Sequence, residues 1–318
     1  MFGNLVILIV VIVLAFGAGL LTVRAARSKR QGVVKILATL LAGVLTLVLA
    51  VVSFIGIKGL AATYTPVAVA APNLTVQGTP EQIARGRYLV NIACTGCHGT
   101  EGQFPLTGGF DMATEIPIPI GSMKASNLTP AGAIANYSDG ELFRVLRQGI
   151  GKDGLWLGMM SSLPYRQLSD EDTQAIIAFL RSQEPVPGEV QGGDNYNFIG
   201  ILLFGSGLFP LPEPVAADAI TSPAKSTAPD YGQYVATFGE CRGCHGLDMT
   251  GAPASPVSPA MPNPRPLVAT MTREQFIDLL RTGQRSNGVE LQMPWQNASK
   301  MDDEDLGALY AYLTAPVQ

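Results

Sequence analysis

Cys94-Thr95-Gly96-Cys97-His98 and Cys241-Arg242-Gly243-Cys244-His245 decide how this chain is read, because between them they use every cysteine and every histidine in 318 residues. Two thiols three residues apart on one turn can add to the two vinyl groups of a single haem. The histidine that follows is then held under the iron as its proximal ligand. A redox-active dithiol and a zinc site are the rival readings of a Cys-x-x-Cys pair. Neither accounts for a histidine directly after both motifs, and zinc would need further Cys or His ligands that this chain lacks. The expectation is two covalently bound c-type haems, one on Cys94, Cys97 and His98 and the other on Cys241, Cys244 and His245.

Outward from the motifs the sequence repeats itself. Gly86-Arg87-Tyr88 precedes the first motif and Gly232-Gln233-Tyr234 the second. Further on, 141–149 answers 275–283, and 169–180 answers 302–313. Four landmarks in one order mark a duplication. Each copy reads as helical. Thr79-Pro80-Glu81-Gln82 combines an N-cap, a proline at the first helical position and a residue able to close a capping box. Ser138 with Glu141, Thr272 with Gln275, and Ser169 before its acidic triplet supply further starts. Sustained strand-like alternation is absent, so the fold class expected is all-α. The expected units are a first module over 79–186, a linker over 187–228 and a second module over 229–318. Within the linker, Phe198 to Leu211 is strongly apolar and too short to span a bilayer; it is expected to pack between the modules or against a partner.

The amino-terminal end has a different composition. The chain as a whole is 47% hydrophobic and 14% charged, which excludes disorder as its main state. Those apolar residues are bunched: 1–23 and 36–57 carry no charge. The second run of 22 residues would span about 33 Å as a helix, close to the hydrocarbon thickness of a bilayer. A transmembrane hairpin over 1–60 is expected, followed by a Pro/Ala/Thr-rich tether over 61–78. Arg24, Arg27, Lys29, Arg30 and Lys35 lie between the spans with no acid, which places that loop in the cytoplasm and everything after the hairpin outside. A cleaved signal peptide ending near Ala68-Val69-Ala70 is the alternative, but both apolar runs exceed a signal core and come in tandem. Six of the 21 basic residues precede Gly59 and none of the 25 acids does, so the exterior carries a net charge of −10. That balance argues against nucleic acid and for basic or neutral partner surfaces.

With no third histidine, bis-His ligation of either iron is excluded, and methionine is the remaining soft ligand. Two of the ten methionines occupy equivalent places: Met160 lies eight residues before Leu168, and Met293 eight before Met301. These are the expected sixth ligands, with Met159 an alternative to its neighbour.

These residues resemble the class I cytochrome c superfamily. The tandem arrangement is similar to dihaem and multihaem cytochrome c subunits of bacterial membrane electron-transfer complexes. The resemblance covers about 79–317 and rests on the two haem motifs, Met293-Pro294-Trp295, the Ser-Asp-Glu-Asp helix start and Ile120-Gly121-Ser122 leading to Ser126-Asn127-Leu128-Thr129-Pro130. It implies two class I cytochrome c-like helical domains, which follow the amino-terminal two-helix transmembrane hairpin expected from the apolar runs. It also implies that Asn127 stands by the haem edge, as a propionate donor or as a plain turn residue. Two departures stand out: Ser161 occupies the place where the family has proline, and the chain has two motifs where dehydrogenase subunits commonly have three. The function expected is a relay of single electrons, without substrate turnover, between a membrane redox complex and a second electron carrier at the periplasmic face of a bacterial cytoplasmic membrane. An integral haem subunit of a dehydrogenase or haem-copper oxidase is the alternative, and a dihaem peroxidase a weaker one.

Overall fold

The computed structural model describes residues 1–29, 32–188, 192–214, 218–255, 258–285 and 288–317. Arg30 of the basic loop, parts of the linker at 189–191 and 215–217, and Gln318 at the end of the second module lie outside the described residues. Two long helices, α1 (Phe2–Arg27) and α2 (Val33–Tyr64), pack antiparallel. Thr22 and Thr46 share a hydroxyl hydrogen bond of 3.1 Å across the seam, flanked by Gly19 and Gly43. Both are long and apolar enough to cross a membrane, and only 11% of the most apolar window of each is buried in protein. So large an apolar surface is stable against lipid and not against water. The hairpin is a membrane anchor.

The first module contains α3 (Pro80–Ala93), the single turn α4 (Thr95–His98), strand β1 (Gly121–Lys124), α5 (Asp139–Gln148), the short α6 (Gly158–Ser162) and α7 (Asp170–Ser182). Strand β2 (Gly193–Tyr196) and α8 (Phe198–Ser206) follow. The second module contains α9 (Pro229–Phe238), the turn α10 (Cys241–His245), α11 (Arg265–Val268), α12 (Arg273–Thr282), α13 (Trp295–Ala298) and α14 (Asp303–Thr314). The structure is thus mostly helical, as expected. Full capping boxes form at Thr79/Gln82, Ser138/Glu141 and Thr272/Gln275, while Ser169 and Asp302 cap α7 and α14 through their third residues.

In each module the first long helix crosses the last. A methyl added to Gly86 would lie 1.8 Å from the Ala175 carbonyl oxygen, and one on Gly232 would lie 2.0 Å from that of Ala308. The repeated glycine is therefore a steric requirement of the crossing.

Three features depart from the sequence reading. A two-stranded antiparallel sheet pairs Gly121 with Tyr196 through Lys124 with Gly193; its strands are four residues long, too short for alternation to register. The 61–78 tether is not free. Helix α2 runs on to Tyr64, after which Val67 N donates to Gly154 O, Arg144 donates to Val69 O, and Val76 N donates to Asp139. The apolar linker segment does not pack between the modules. It becomes α8, seated on α2, because Gly59 faces the Ile201 carbonyl and Gly205 the Ile55 carbonyl, where a side chain on either glycine would come within 1.9 Å.

Candidate functional site

Cys94 closes α3, its N–H donating 2.9 Å to Val90 O, and the next turn returns His98 N to Cys94 O at 2.8 Å. This tight reversal puts Cys94, Cys97 and His98 on the wall of one cleft, with Met159 and Met160 also lining it. No disulfide joins any two of the four cysteines. The His98 Nδ1 lies 2.7 Å from Ser126 O. A carbonyl can only accept, so Nδ1 carries the proton and Nε2 is left as the metal-binding nitrogen. Burial lowers the pKa of His98, partly offset by that carbonyl, which keeps the ring neutral as a ligand requires. Burial, followed by the nearby Glu240 charge, pushes the Cys97 thiol up to about 11. A redox-active dithiol needs a shift in the opposite direction. The donor set and the apolar character of the cleft fit a haem.

The second motif repeats the device: His245 Nδ1 lies 2.8 Å from Pro262 O. Burial pushes Cys241 up to about 12. Met293 is half-buried against the module core. The loop that carries it is fixed by Gly283, which sits at φ 70° directly under the Trp295 indole. Gly149, at φ 72°, plays the same part beneath Ser161 in the first module. Ser161 is itself buried and donates to Gly158 O at 2.9 Å. Met160 packs against the core, whereas the Met159 sulfur lies 3.9 Å from the Ser162 hydroxyl.

Asn127 is buried. Its Oδ1 accepts from Thr129 N at 2.8 Å and its Nδ2 donates to Val186 O at 2.9 Å. Ser126 and Leu128 line the cleft beside it. Both ends of its amide are thus engaged within the protein, which holds the turn beside the cleft.

Sequence reasoning missed how the two modules meet. Tyr88 of the first donates to Asp305 at 2.6 Å and accepts from Asp302 N at 3.0 Å. Its counterpart Tyr234 donates to Asp172 at 2.7 Å and accepts from Ser169 N at 3.0 Å. Lys300 reaches Thr95 inside the first motif at 2.7 Å, and Arg242 inside the second motif reaches Gln167. Each contact has its counterpart at the equivalent position of the other copy, so the modules face each other about a pseudo-two-fold axis with both Cys-x-x-Cys-His turns at the interface. Glu240, next to the second motif, also lines the first cleft. It contacts the Tyr165 hydroxyl, which donates 2.9 Å to Ala93 O, and burial pushes its carboxyl up to about 7. The repeated Gly-x-Tyr was visible in the sequence, but nothing local told that its tyrosine serves the other copy.

Comparison with known proteins agrees with this geometry. The family model described as cytochrome c oxidase, cbb3-type, subunit III matches residues 81–180 and 228–313, one match over each motif. The cytochrome c subunit of the quinone alcohol dehydrogenase of Gluconobacter oxydans is 35% identical over 102 residues, covering 31% of this chain and 20% of that protein. A nicotinate dehydrogenase subunit of Pseudomonas putida is 34% identical over 113 residues, 34% of this chain and 9% of the relative. The fructose dehydrogenase cytochrome subunit of Gluconobacter japonicus is 36% identical over 118 residues, 34% and 23%. The chain spans between 9% and 23% of the length of these three relatives.

Proposed function

We propose, from the premise that this chain belongs to the cytochrome c oxidase cbb3-type subunit III family, that it is a membrane-anchored dihaem c-type cytochrome which relays single electrons. Cys94 and Cys97 would hold one haem and Cys241 and Cys244 the other, in modules spanning 79–186 and 229–318. When bound, the haems supply reversible one-electron chemistry. The protein's own contribution is orientation and closure. The Ser126 and Pro262 carbonyls hold the His98 and His245 rings; His98 with Met160 and His245 with Met293 would hold the two irons, a ligand set suited to electron transfer and not to binding oxygen or peroxide.

The observation that carries the reading is the pseudo-two-fold interface, where each haem turn contacts the opposite module. Two isolated carriers on a string would have no use for it. The modules lie on the periplasmic side of a bacterial cytoplasmic membrane, where they pass electrons between a membrane redox complex and a second carrier; the basic residues between the two apolar runs support this side. Asn127 keeps the turn beside the first haem.

A second reading, that the chain is an integral subunit of a dehydrogenase, draws on relatives that are named as subunits of such enzymes. Comigration with a large complex after mild-detergent extraction of native membranes separates it from a freestanding carrier. The primary test is haem stoichiometry of the purified full chain. Two haems per polypeptide are expected, and one after either Cys94→Ala/Cys97→Ala or Cys241→Ala/Cys244→Ala. An unchanged count after either replacement sinks the assignment.

A further inference from the structure

We infer that α8 lies at the outer acyl-chain boundary of the bilayer and that its uncovered face contacts lipid, giving the chain a third membrane contact besides its two spans. This rests on reading the hairpin as membrane-spanning. Between Asp194 and Glu213 the sequence carries no charge. One side of α8 is closed against α2 at three points. A methyl on Gly56 would lie 3.3 Å from the Phe198 ring, one on Gly59 1.9 Å from Ile201 O, and one on Gly205 1.9 Å from Ile55 O. Helix α8 therefore crosses α2 at the level of residues 55–59.

Two rulers give the depth of that level. On α2 the uncharged run ends at Ile57, and the next residue, Lys58, is exposed with its ammonium 5.9 Å from the Phe54 ring. A charge at this point on a lipid-facing helix marks the interface. On α1, about 20 residues, or roughly 30 Å of helix, separate the basic end at Arg24 from Asn4. Asn4 donates 2.7 Å to Tyr196 O, two residues before α8 begins, and Leu8 meets Gly56. Both rulers put α8 at the outer edge of the hydrocarbon.

The opposite side of α8 shows Ile199 45% exposed, and just beyond the helix Leu208 is 42% exposed. At this depth their surroundings are acyl chains, continuous with the lipid-facing surface of the hairpin, and the apolar area stays out of water. The contact also orients the first module. Strand β2 leads directly into α8, and its Gly193 and Asp194 line the first cleft, so it is that cleft, and not the second motif, that is seated against the membrane.

The test uses the full chain in nanodiscs of phosphatidylcholine and phosphatidylglycerol containing a lipid with a diazirine on its acyl chain. After irradiation, labelled peptides are quantified by mass spectrometry. Label on 198–209 is expected at a third or more of the density on α1 and α2, and several-fold above a second-module peptide containing the exposed Val289. Labelled spans with 198–209 at the Val289 level overturn the inference and leave the hairpin reading standing. Unlabelled spans overturn the hairpin reading, and the inference falls with it.

Discussion

Replacing Gly232 with alanine sets two effects of opposite sign against each other. Alanine gains about 1 kcal/mol over glycine inside a helix, so an open site would be stabilised. Here the new methyl would lie 2.0 Å from Ala308 O and 2.7 Å from both Ala308 C and Tyr312 Cβ, against 3.4 Å for ordinary contact. Helices α9 and α14 must part by roughly 1.4 Å, and the obstacle is backbone that cannot rotate away. Overpacking of this kind costs about 3 kcal/mol or somewhat more, so the steric term wins by about 2 kcal/mol. For a module of this size that lowers the melting temperature by roughly 8–16 °C. Gly243→Ala is the control, since its methyl would meet only Pro164 Cδ at 3.6 Å; with no clash to offset the helical gain it should leave stability unchanged or raise it by up to about 1 kcal/mol. Far-UV circular dichroism melts of the full chain in detergent, supported by urea titrations, read both variants. If Gly232→Ala melts with the parent or above it, the close crossing of α9 on α14 is wrong.

Tyr234→Phe removes the hydroxyl that serves Asp172 and Ser169 N across the module interface, although Arg85 still pairs with Asp172 at 2.7 Å. A loss of about 1–2 kcal/mol is expected in urea titrations, matched by Tyr88→Phe; clearly unequal losses would argue against the pseudo-two-fold pairing. Met160→Leu is expected to lower the midpoint potential of one haem and let it bind carbon monoxide when reduced, while Met159→Leu changes neither; spectropotentiometry reads both, and the reverse pattern reassigns the ligand. Glu240 has its folded-state pKa raised from 4.5 to about 7 by burial. The folded protein therefore holds a proton that the unfolded chain has released, and the associated stability, about 3 kcal/mol at most, is full below pH 4.5 and lost as the pH rises to 7. Glu240→Gln should flatten that slope in urea titrations from pH 4.5 to 8, and an unchanged slope removes Glu240 as its source.

What the sequence determined is what acts over a few residues. A capping box closes within four positions, a thioether pair within one turn and a membrane span within one uninterrupted apolar run. The hairpin, the starts of α3, α5, α7 and α12, the duplicated motifs and the mostly helical fold were accordingly legible from residue order alone. Tertiary structure decided the rest. The carbonyls that orient His98 and His245 come from Ser126 and Pro262, 28 and 17 residues away, and a backbone carbonyl carries no residue identity to read. Tyr88 bonds Asp305 across 217 residues, α8 seats on α2, and β1 finds β2. The Asn127 amide is held by Thr129 N and by the Val186 carbonyl 59 residues away. Pairings over such distances are set by how the summed burial of both modules and the hairpin is best satisfied at once, and no single window of sequence contains that sum.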